Sequence, residues 1–149
     1  MARFLRLIAL PVLLMSGAYA QANCEVSISA GDGLAYDKNS IEVSSDCAEV
    51  TVTLTHTGNL PAAAMGHNWV LSLTDDLTAI ATEGMSAGAD ANYVNSDDPR
   101  VIAASSVVGG GESTSVTFSI SELDASKSYS FFCTFPGHWS VMKGSFVIS

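Results

Sequence analysis

Three side chains with sulfur or nitrogen donor atoms lie within ten residues near the C-terminus, in the spacing Cys133-x4-His138-x3-Met142. A Pro-Gly pair between the cysteine and the histidine favours a turn that folds this segment back on itself. A thiolate, imidazoles and a weakly bound thioether are the ligands of a type 1 copper site, which needs a second histidine. His67 can supply that histidine from a distant part of the chain. The spacing therefore predicts a copper site.

Each histidine and the methionine also has a simpler interpretation. A lone histidine in a strand more often makes structural hydrogen bonds, and we keep that interpretation for His56. His67 follows a glycine and precedes an apolar segment, so the residue by itself indicates neither role. Met142 alone would be a core residue. Its position four residues after His138, itself five residues after a cysteine, favours an axial ligand instead.

The three cysteines divide into a possible pair and a single thiol. Cys24 and Cys47 can form a disulfide if the chain is exported, because disulfides persist outside the cytoplasm. Cys133 is then left over, and an odd cysteine is either reactive, paired with another molecule or a metal ligand. Because His138 and Met142 lie beside it, a metal explains it best.

Residues 1–20 have the pattern of a secretory signal peptide. A basic start precedes an apolar run over residues 7–15, and small residues allow cleavage after Ala20 or Ala22. The run is shorter than the roughly 20 residues that a membrane span requires, and no later segment qualifies. We therefore expect a single domain over residues 21–149, exported from the cytoplasm and not inserted into a membrane; the family resemblance given below implies that its compartment is the periplasm.

Once the leader is removed, four basic and fifteen acidic side chains give the chain a net charge of −11. This charge argues against a nucleic-acid partner, because phosphate binding needs Lys and Arg. It is compatible with a positively charged protein partner, although solubility alone also explains it.

Alternating apolar and polar residues predict short strands through most of the domain. The clearest strand covers residues 49–56, with Val50, Val52 and Leu54 on one face. Many short strands with regular turns predict an all-β, eight-stranded Greek-key sandwich, once the family resemblance below is taken into account. The candidate core aromatic residues are Trp69, Phe118, Phe131 and Phe146.

One stretch has the period of a helix instead. Over residues 75–87, an apolar stripe is formed by Leu77, Ile80, Ala81 and Met85. Gly88 is placed to end the helix. We therefore predict one short helix in an otherwise β-patterned domain.

The segments 65–69 and 131–138 resemble those of the blue-copper proteins of the cupredoxin family, and the resemblance covers essentially the whole mature chain. It implies a Greek-key sandwich with copper near one end. His67, Cys133 and His138 would be the trigonal ligands, Met142 a long axial ligand and the Gly66 carbonyl a weak fifth contact. It also implies that the backbone amides of Asn68 and Phe135 hydrogen-bond to the Cys133 sulfur, and that His56 is not a ligand.

Two residues depart from the pattern that we associate with the family. Trp139 follows His138 where a small residue is usual, and Thr57 follows His56 where proline is common. Neither is a predicted ligand, but Trp139 can change the shape of a docking surface.

With every ligand position filled by the protein, no position is left for a substrate. We therefore expect an electron carrier and not an enzyme, which passes single electrons by outer-sphere transfer through the ring edge of His138. Expected partners are redox proteins such as c-type cytochromes or a copper or haem reductase, and the protein itself is expected to be a monomer. The redox partners would dock on an apolar patch formed by Leu34, Leu60, Met65, Met85, Phe135, Pro136 and Val141.

Three other functions are compatible with parts of the pattern. A copper nitrite reductase or oxidase domain would need more histidines for a second, catalytic copper. A copper-storage protein would expose Met-rich or Cys-rich ligands, whereas these ligands lie in apolar sequence. A secreted interaction domain with a structural zinc would lack the blue colour.

Overall fold

The computed structural model describes residues 23–121 and 123–149, so the predicted leader and its cleavage sites lie outside the described residues. Within the described residues, eight strands form two sheets, which confirms the predicted β-sandwich. The strands are β1 (Glu25–Ala30), β2 (Ser40–Val43), β3 (Glu49–His56), β4 (Val70–Leu73), β5 (Ala103–Ala104), β6 (Ser113–Ser119), β7 (Tyr129–Phe132) and β8 (Lys143–Ile148).

In both sheets, strands that are distant in sequence lie side by side. One sheet has the order β1-β3-β6 and the other the order β2-β8-β7-β4-β5. The pairs β1–β3 and β2–β8 are parallel, and the remaining pairs are antiparallel. Because β7 lies between β8 and β4, the segments before β4, after β7 and before β8 meet at one end of this sheet.

The apolar residues that alternate with polar ones in the sequence are the residues that are buried in the strands. In β3, Val50, Val52 and Leu54 are buried, and the residues between them are half-exposed. Fully burying a side chain of this size contributes about 1.5–3 kcal/mol. The space between the sheets is filled by an aromatic cluster around Trp69, whose ring stacks near Phe118 and Phe131 at centroid distances of 5.8 and 6.0 Å. All four predicted core aromatic residues are buried.

A disulfide joins the start of β1 to the segment before β3. Cys24 and Cys47 are bonded, with 5.7 Å between their Cα atoms, which confirms the predicted pair. Cys133 is a free, buried cysteine. The disulfide lies at the end of β3 that is opposite to His56.

The predicted helix is present but starts later than expected. A 3-10 turn over Thr74–Asp76 leads into α2 (Leu77–Ala87), and Gly88 follows it with a φ of 79°. Three residues of the predicted apolar stripe, Leu77, Ile80 and Ala81, are buried together with Gly84, whereas Met85 is exposed, as its place in the predicted apolar patch requires. A β-carbon at residue 84 would collide with the carbonyl of Tyr93, so glycine is required where the loop crosses the helix.

One element was not predicted. The segment after the turn at residues 57–61 forms a single helical turn, α1 (Ala62–Met65), immediately before the predicted ligand His67. A run of three alanines gives no amphipathic period, so the sequence pattern could not reveal it. None of the helices in residues 23–121 and 123–149 has the length and hydropathy of a membrane span.

Candidate metal centre

The segments that carry the predicted ligands are held by backbone hydrogen bonds. Cys133 directly follows β7, and its amide donates to the Met142 carbonyl at 3.1 Å. The Met142 amide donates in turn to the His138 carbonyl at 2.9 Å. Gly137, with a φ of 84°, makes the sharp turn before His138. The loop between β7 and β8 therefore returns Met142 to the side of Cys133.

His67 comes from the other side of the same sheet end. It precedes β4, and its backbone pairs with Val108 through two hydrogen bonds of 3.0 and 2.9 Å. Its ring Nε2 donates to the Gly31 carbonyl at 2.7 Å. This bond fixes the tautomer and leaves Nδ1 as the free donor atom, which faces the Cys133 sulfur.

Three of the predicted ligands form one buried cluster of donor atoms. The Cys133 Sγ lies 3.6 Å from His138 Nδ1 and 4.0 Å from His67 Nδ1. One donor atom from each residue lies within 4.8 Å of the other two. A metal ion with bonds of about 2.0–2.3 Å to sulfur and nitrogen can bridge such a spacing. The donor set therefore fits a single soft or borderline metal ion.

The protonation states of these groups also suit a metal. Burial, together with the smaller effect of the neighbouring His67, lowers the pKa of His138 to about 4. Burial likewise lowers the pKa of His67. Both imidazoles are therefore neutral near pH 7, each with one lone pair available. Burial raises the pKa of the Cys133 thiol to about 11, so a cation is needed to hold it as a thiolate.

Two backbone amides counteract the burial of the sulfur. Hydrogen bonds from the backbone N–H groups of Asn68 and Phe135, which the family resemblance also implies, lower the pKa of the Cys133 thiol and so favour the thiolate. The Asn68 side chain ties the two ligand-bearing segments together. Its Oδ1 accepts from the Thr134 amide at 2.9 Å, and its Nδ2 donates to the Thr134 hydroxyl at 2.8 Å.

His56 lies beside the cluster, but both of its ring nitrogens are used in hydrogen bonds. Nδ1 accepts from the Gly58 amide at 3.1 Å, and Nε2 donates to the Met65 carbonyl at 2.8 Å. Its ring stacks on His67, with centroids 4.7 Å apart. These hydrogen bonds are the structural role predicted for His56. Its stacked ring also helps to hold the His67 ring in place.

Met142 and Gly66 are buried near the cluster. Met142 is fully buried and packs in one small cluster with Cys133, Phe135 and Ala30. At Gly66, a β-carbon would collide with the Ala62 carbonyl and the Val107 side chain, so only glycine fits. The positions suit the predicted axial contacts, whose roles stay predictions.

The predicted apolar patch needs one correction. Four of its members are the exposed residues Leu34, Leu60, Met85 and Val141, with 43, 41, 41 and 61% of their surface accessible. Pro136 is also exposed, and Met65 is half-buried. Phe135, in contrast, is buried, because its ring packs between Tyr93 and His138 at centroid distances of 5.2 and 4.6 Å. Phe135 therefore supports His138 from inside instead of forming the patch surface.

The two residues that depart from the family pattern have clear contacts. Trp139 is half-buried and packs against the apolar cluster beneath α2, which contains Leu77, Ile80 and Phe132. The Thr57 amide donates to the Ala30 carbonyl at 2.8 Å, a bond that proline cannot make. Trp139 thus anchors the loop between β7 and β8 on helix α2.

Several residues that support the site gave no signal in the sequence. The hydroxyl of the half-buried Tyr36 donates to the Asn68 carbonyl at 2.5 Å. The Asp32 carboxylate accepts from the amides of Asn59 and Leu60, and so ties the loop that carries Gly31 to the loop after β3. Asn92 contacts the Asn68 side chain. Each contact joins loops far apart in sequence, so periodicity could not reveal it.

Comparison with known proteins agrees with this geometry. A family model described as copper-binding proteins of the plastocyanin/azurin family matches residues 22–149. The azurin of Alcaligenes faecalis is 53% identical over 122 residues, which cover 82% of this chain and 95% of that protein. The azurin of Pseudomonas aeruginosa is 45% identical over 135 residues, 91% of each chain. A solved structure of an azurin from Methylomonas sp. strain J superposes with a TM-score of 0.83 at 45% identity, and covers 86% of this chain and 99% of that one.

Proposed function

Since the chain belongs to the plastocyanin/azurin family of copper-binding proteins, we propose that it carries single electrons through the edge of His138 to and from redox partners in the periplasm. Like the azurins, it is a blue copper electron carrier with one type 1 copper, and not an enzyme. The ligands, the route of the electron, the partners and the location are the parts that we propose.

The proposed ligands are His67, Cys133 and His138 in the trigonal plane, Met142 as a weak axial ligand and the Gly66 carbonyl as a weaker contact. The single observation that carries this assignment is the buried cluster formed by Cys133 Sγ and the two histidine Nδ1 atoms. A bound copper ion supplies one-electron chemistry by alternating between Cu(II) and Cu(I). The chain holds its donor atoms in place through hydrogen bonds and packing, so little rearrangement accompanies the change of charge.

We propose that electrons enter and leave through His138 because it is the donor residue nearest to solvent. Its exposed fraction is 4%, whereas Cys133, His67 and Met142 are fully buried. The residues next to it in sequence, Pro136 and Val141 among them, are exposed. A partner that contacts this surface would therefore lie beside the ring of His138.

The proposed docking surface is the apolar patch without Phe135. Of the five large apolar side chains that are exposed in residues 23–121 and 123–149, four belong to it and the fifth is Val147 on β8. An exposed apolar patch of modest size suits brief, weak encounters such as those between redox proteins. The net charge of −11 expected after leader removal favours a positively charged partner, such as a basic c-type cytochrome, or a copper or haem reductase with a basic surface. No nucleic acid is involved, and the carrier acts as a monomer.

We further propose that residues 1–20 are removed on export and that residues 21–149 form one domain in the periplasm. The Cys24–Cys47 disulfide supports this location, because disulfides persist in oxidising compartments.

The proposed ligand set is tested by the absorption spectrum of the copper-loaded protein. We expect an intense blue band from the Cys133 thiolate, which a reductant bleaches reversibly. Cys133→Ser should fold, because the disulfide and core remain, but should show no blue band with copper. A Cys133→Ser protein as blue as the wild type would refute the ligand assignment.

A further inference from the structure

The direction of one hydrogen bond at the metal centre depends on how Asn68 is held. Its backbone N–H bonds to the Cys133 sulfur, and its side chain is fixed by Thr134 through the two bonds described above. One hydrogen of Asn68 Nδ2 remains after the bond to the Thr134 hydroxyl. It is donated to the backbone carbonyl of Asn92 at 3.0 Å.

Asn92 also holds the segment that pairs with His67. Its side-chain Oδ1 accepts from the Val107 amide at 2.8 Å. The next residue, Val108, makes the two backbone hydrogen bonds to His67. Asn92 thus contacts both Asn68, which bonds to Cys133, and Val107, whose neighbour Val108 bonds to His67. It does so although it lies in neither of the segments that carry the ligands.

The backbone at this point has an unusual conformation. Asn92 and Tyr93 both have a φ of 55°, a left-handed region that only glycine adopts freely. Asparagine tolerates it, but a bulky residue such as tyrosine rarely does. Tyr93 is held there by its ring, which packs against Phe135, and by its carbonyl, which packs against Gly84. Two successive left-handed residues persist only where the surrounding contacts hold them, and such strained residues are concentrated at functional sites.

We propose that Asn92 is a positioning residue of the metal centre. By holding the Asn68 side chain and the Val107 amide together, it fixes the direction in which the Asn68 N–H meets the Cys133 sulfur. Hydrogen bonds to a ligand sulfur set how much charge it gives to the metal, so Asn92 tunes the reduction potential without touching a ligand. This role rests on the proposed function of Cys133 as the thiolate ligand.

The sharpest variant is Asn92→Gly. Glycine keeps the left-handed backbone and the carbonyl group, and removes the side chain with the Oδ1 that accepts from the Val107 amide. In the copper-free protein, we expect hydrogen exchange at the Asn68 and Thr134 amides to become about tenfold faster, the effect of losing one buried hydrogen bond. Exchange at the core amides of Val52 and Leu54 should change little. Asn92→Asp keeps an acceptor at the same position and should restore slow exchange.

The matched control is Asp98→Ala, which weakens the same segment through a different contact. Asp98 pairs with Arg100 at 2.6 Å and contacts neither Asn68 nor Val107 in the described residues. It should lower stability without changing exchange at Asn68. In the copper-loaded proteins, Asn92→Gly should shift the blue band and the midpoint potential, whereas Asp98→Ala should shift neither.

Exchange at Asn68 that stays at the wild-type rate in Asn92→Gly, or that rises equally in Asp98→Ala, would overturn the proposal. So would an Asn92→Asp protein as altered as Asn92→Gly. Since exchange is measured without copper, a failure to form a blue site would count against the proposed function only. If Asn92→Gly does not fold, the contact can be tested in the wild-type protein by NMR. We expect a scalar coupling across the hydrogen bond from the Val107 amide to the Asn92 side-chain carbonyl. The absence of this coupling would refute the contact.

Discussion

Asp32 shows how an exposed residue can act on a buried ligand. Its carboxylate accepts from the amides of Asn59 and Leu60 at 2.9 and 3.0 Å, and this fixes the loop whose Gly31 carbonyl orients the His67 ring. These backbone hydrogen bonds lower the pKa of Asp32 from its usual value of 3.8. The carboxylate is therefore a loop anchor that works only when it is ionised.

The pH dependence of Asp32 follows from the direction of its shift. A carboxyl group with a lower pKa in the folded state stabilises the fold above the unfolded pKa, and this contribution is lost as the pH falls through the folded pKa. Asp32→Asn should therefore destabilise the copper-free protein at about pH 6 and much less at about pH 3. Urea unfolding at the two pH values measures the difference.

Asp90→Asn is the matched control, because no hydrogen bond to the Asp90 carboxylate occurs among the described residues and the residue is exposed. It should have a small effect at both pH values. An Asp32→Asn penalty that is the same at both pH values would contradict the anchoring role of the ionised carboxylate.

At the scale of the elements, the sandwich is fastened at both ends of β3 by different means. Cys47, just before the strand, is bonded to Cys24 at the start of β1. His56, at the last position of the strand, supports His67 by stacking. The disulfide and the metal centre thus lie at opposite ends of the same strand, so the two should be independent.

Removing the disulfide tests that independence. The double variant Cys24→Ala, Cys47→Ala should lose about 2–5 kcal/mol of unfolding free energy, because the unfolded chain is no longer constrained. Urea unfolding measures the loss, and the absorption spectrum with copper should keep the blue band unchanged. A weaker or shifted band would show that the disulfide supports the ligands.

The elements differ in how well the sequence predicts them. Strand β3 was predicted because its apolar residues alternate, and α2 because its stripe repeats at the helical period. The turn α1 has no such pattern, and β5, at two residues, is too short to carry one. The positions of β1 beside β3 and of β2 beside β8 depend on packing between the sheets, which no local pattern encodes.

The same contrast holds for the site. Cys133, His138 and Met142 could be found because they lie within one loop and have distinctive donor atoms. His67 alone indicates no role, and it could be found only because a type 1 copper site needs a second histidine; the family resemblance implies the same residue. Asn92 could not be found, because its contacts to Asn68 and Val107 join segments 15 or more residues away and it carries no unusual chemistry.

At the scale of the whole molecule, the acidic charge and the apolar patch have different effects on a partner. The net charge attracts or repels a partner over a Debye length of about 10 Å at 0.1 M salt, and this effect weakens as salt increases. The patch acts only on contact, through exclusion of water. Measurements at high salt therefore isolate the contact surface from the long-range attraction.

The proposal that electrons leave through the His138 face is tested most directly by Val141→Lys. At 61% exposed, Val141 is more exposed than Leu34, Leu60 and Met85, and its backbone amide donates to the His138 carbonyl, a bond that the substitution leaves in place. Met65 is less suitable, because it is half-buried and its carbonyl holds His56. Val147→Lys adds the same charge on β8, outside the patch, and is the matched control.

The measurement is the rate of electron self-exchange between reduced and oxidised copper-loaded protein, taken from NMR line broadening at high salt. Val141→Lys should exchange at least about tenfold more slowly than the wild type, because docking of two patches must now bury a charge. Its blue band should be unchanged, and Val147→Lys should exchange at the wild-type rate. A Val141→Lys protein with the wild-type rate and an intact blue band would mean that electrons leave by another face.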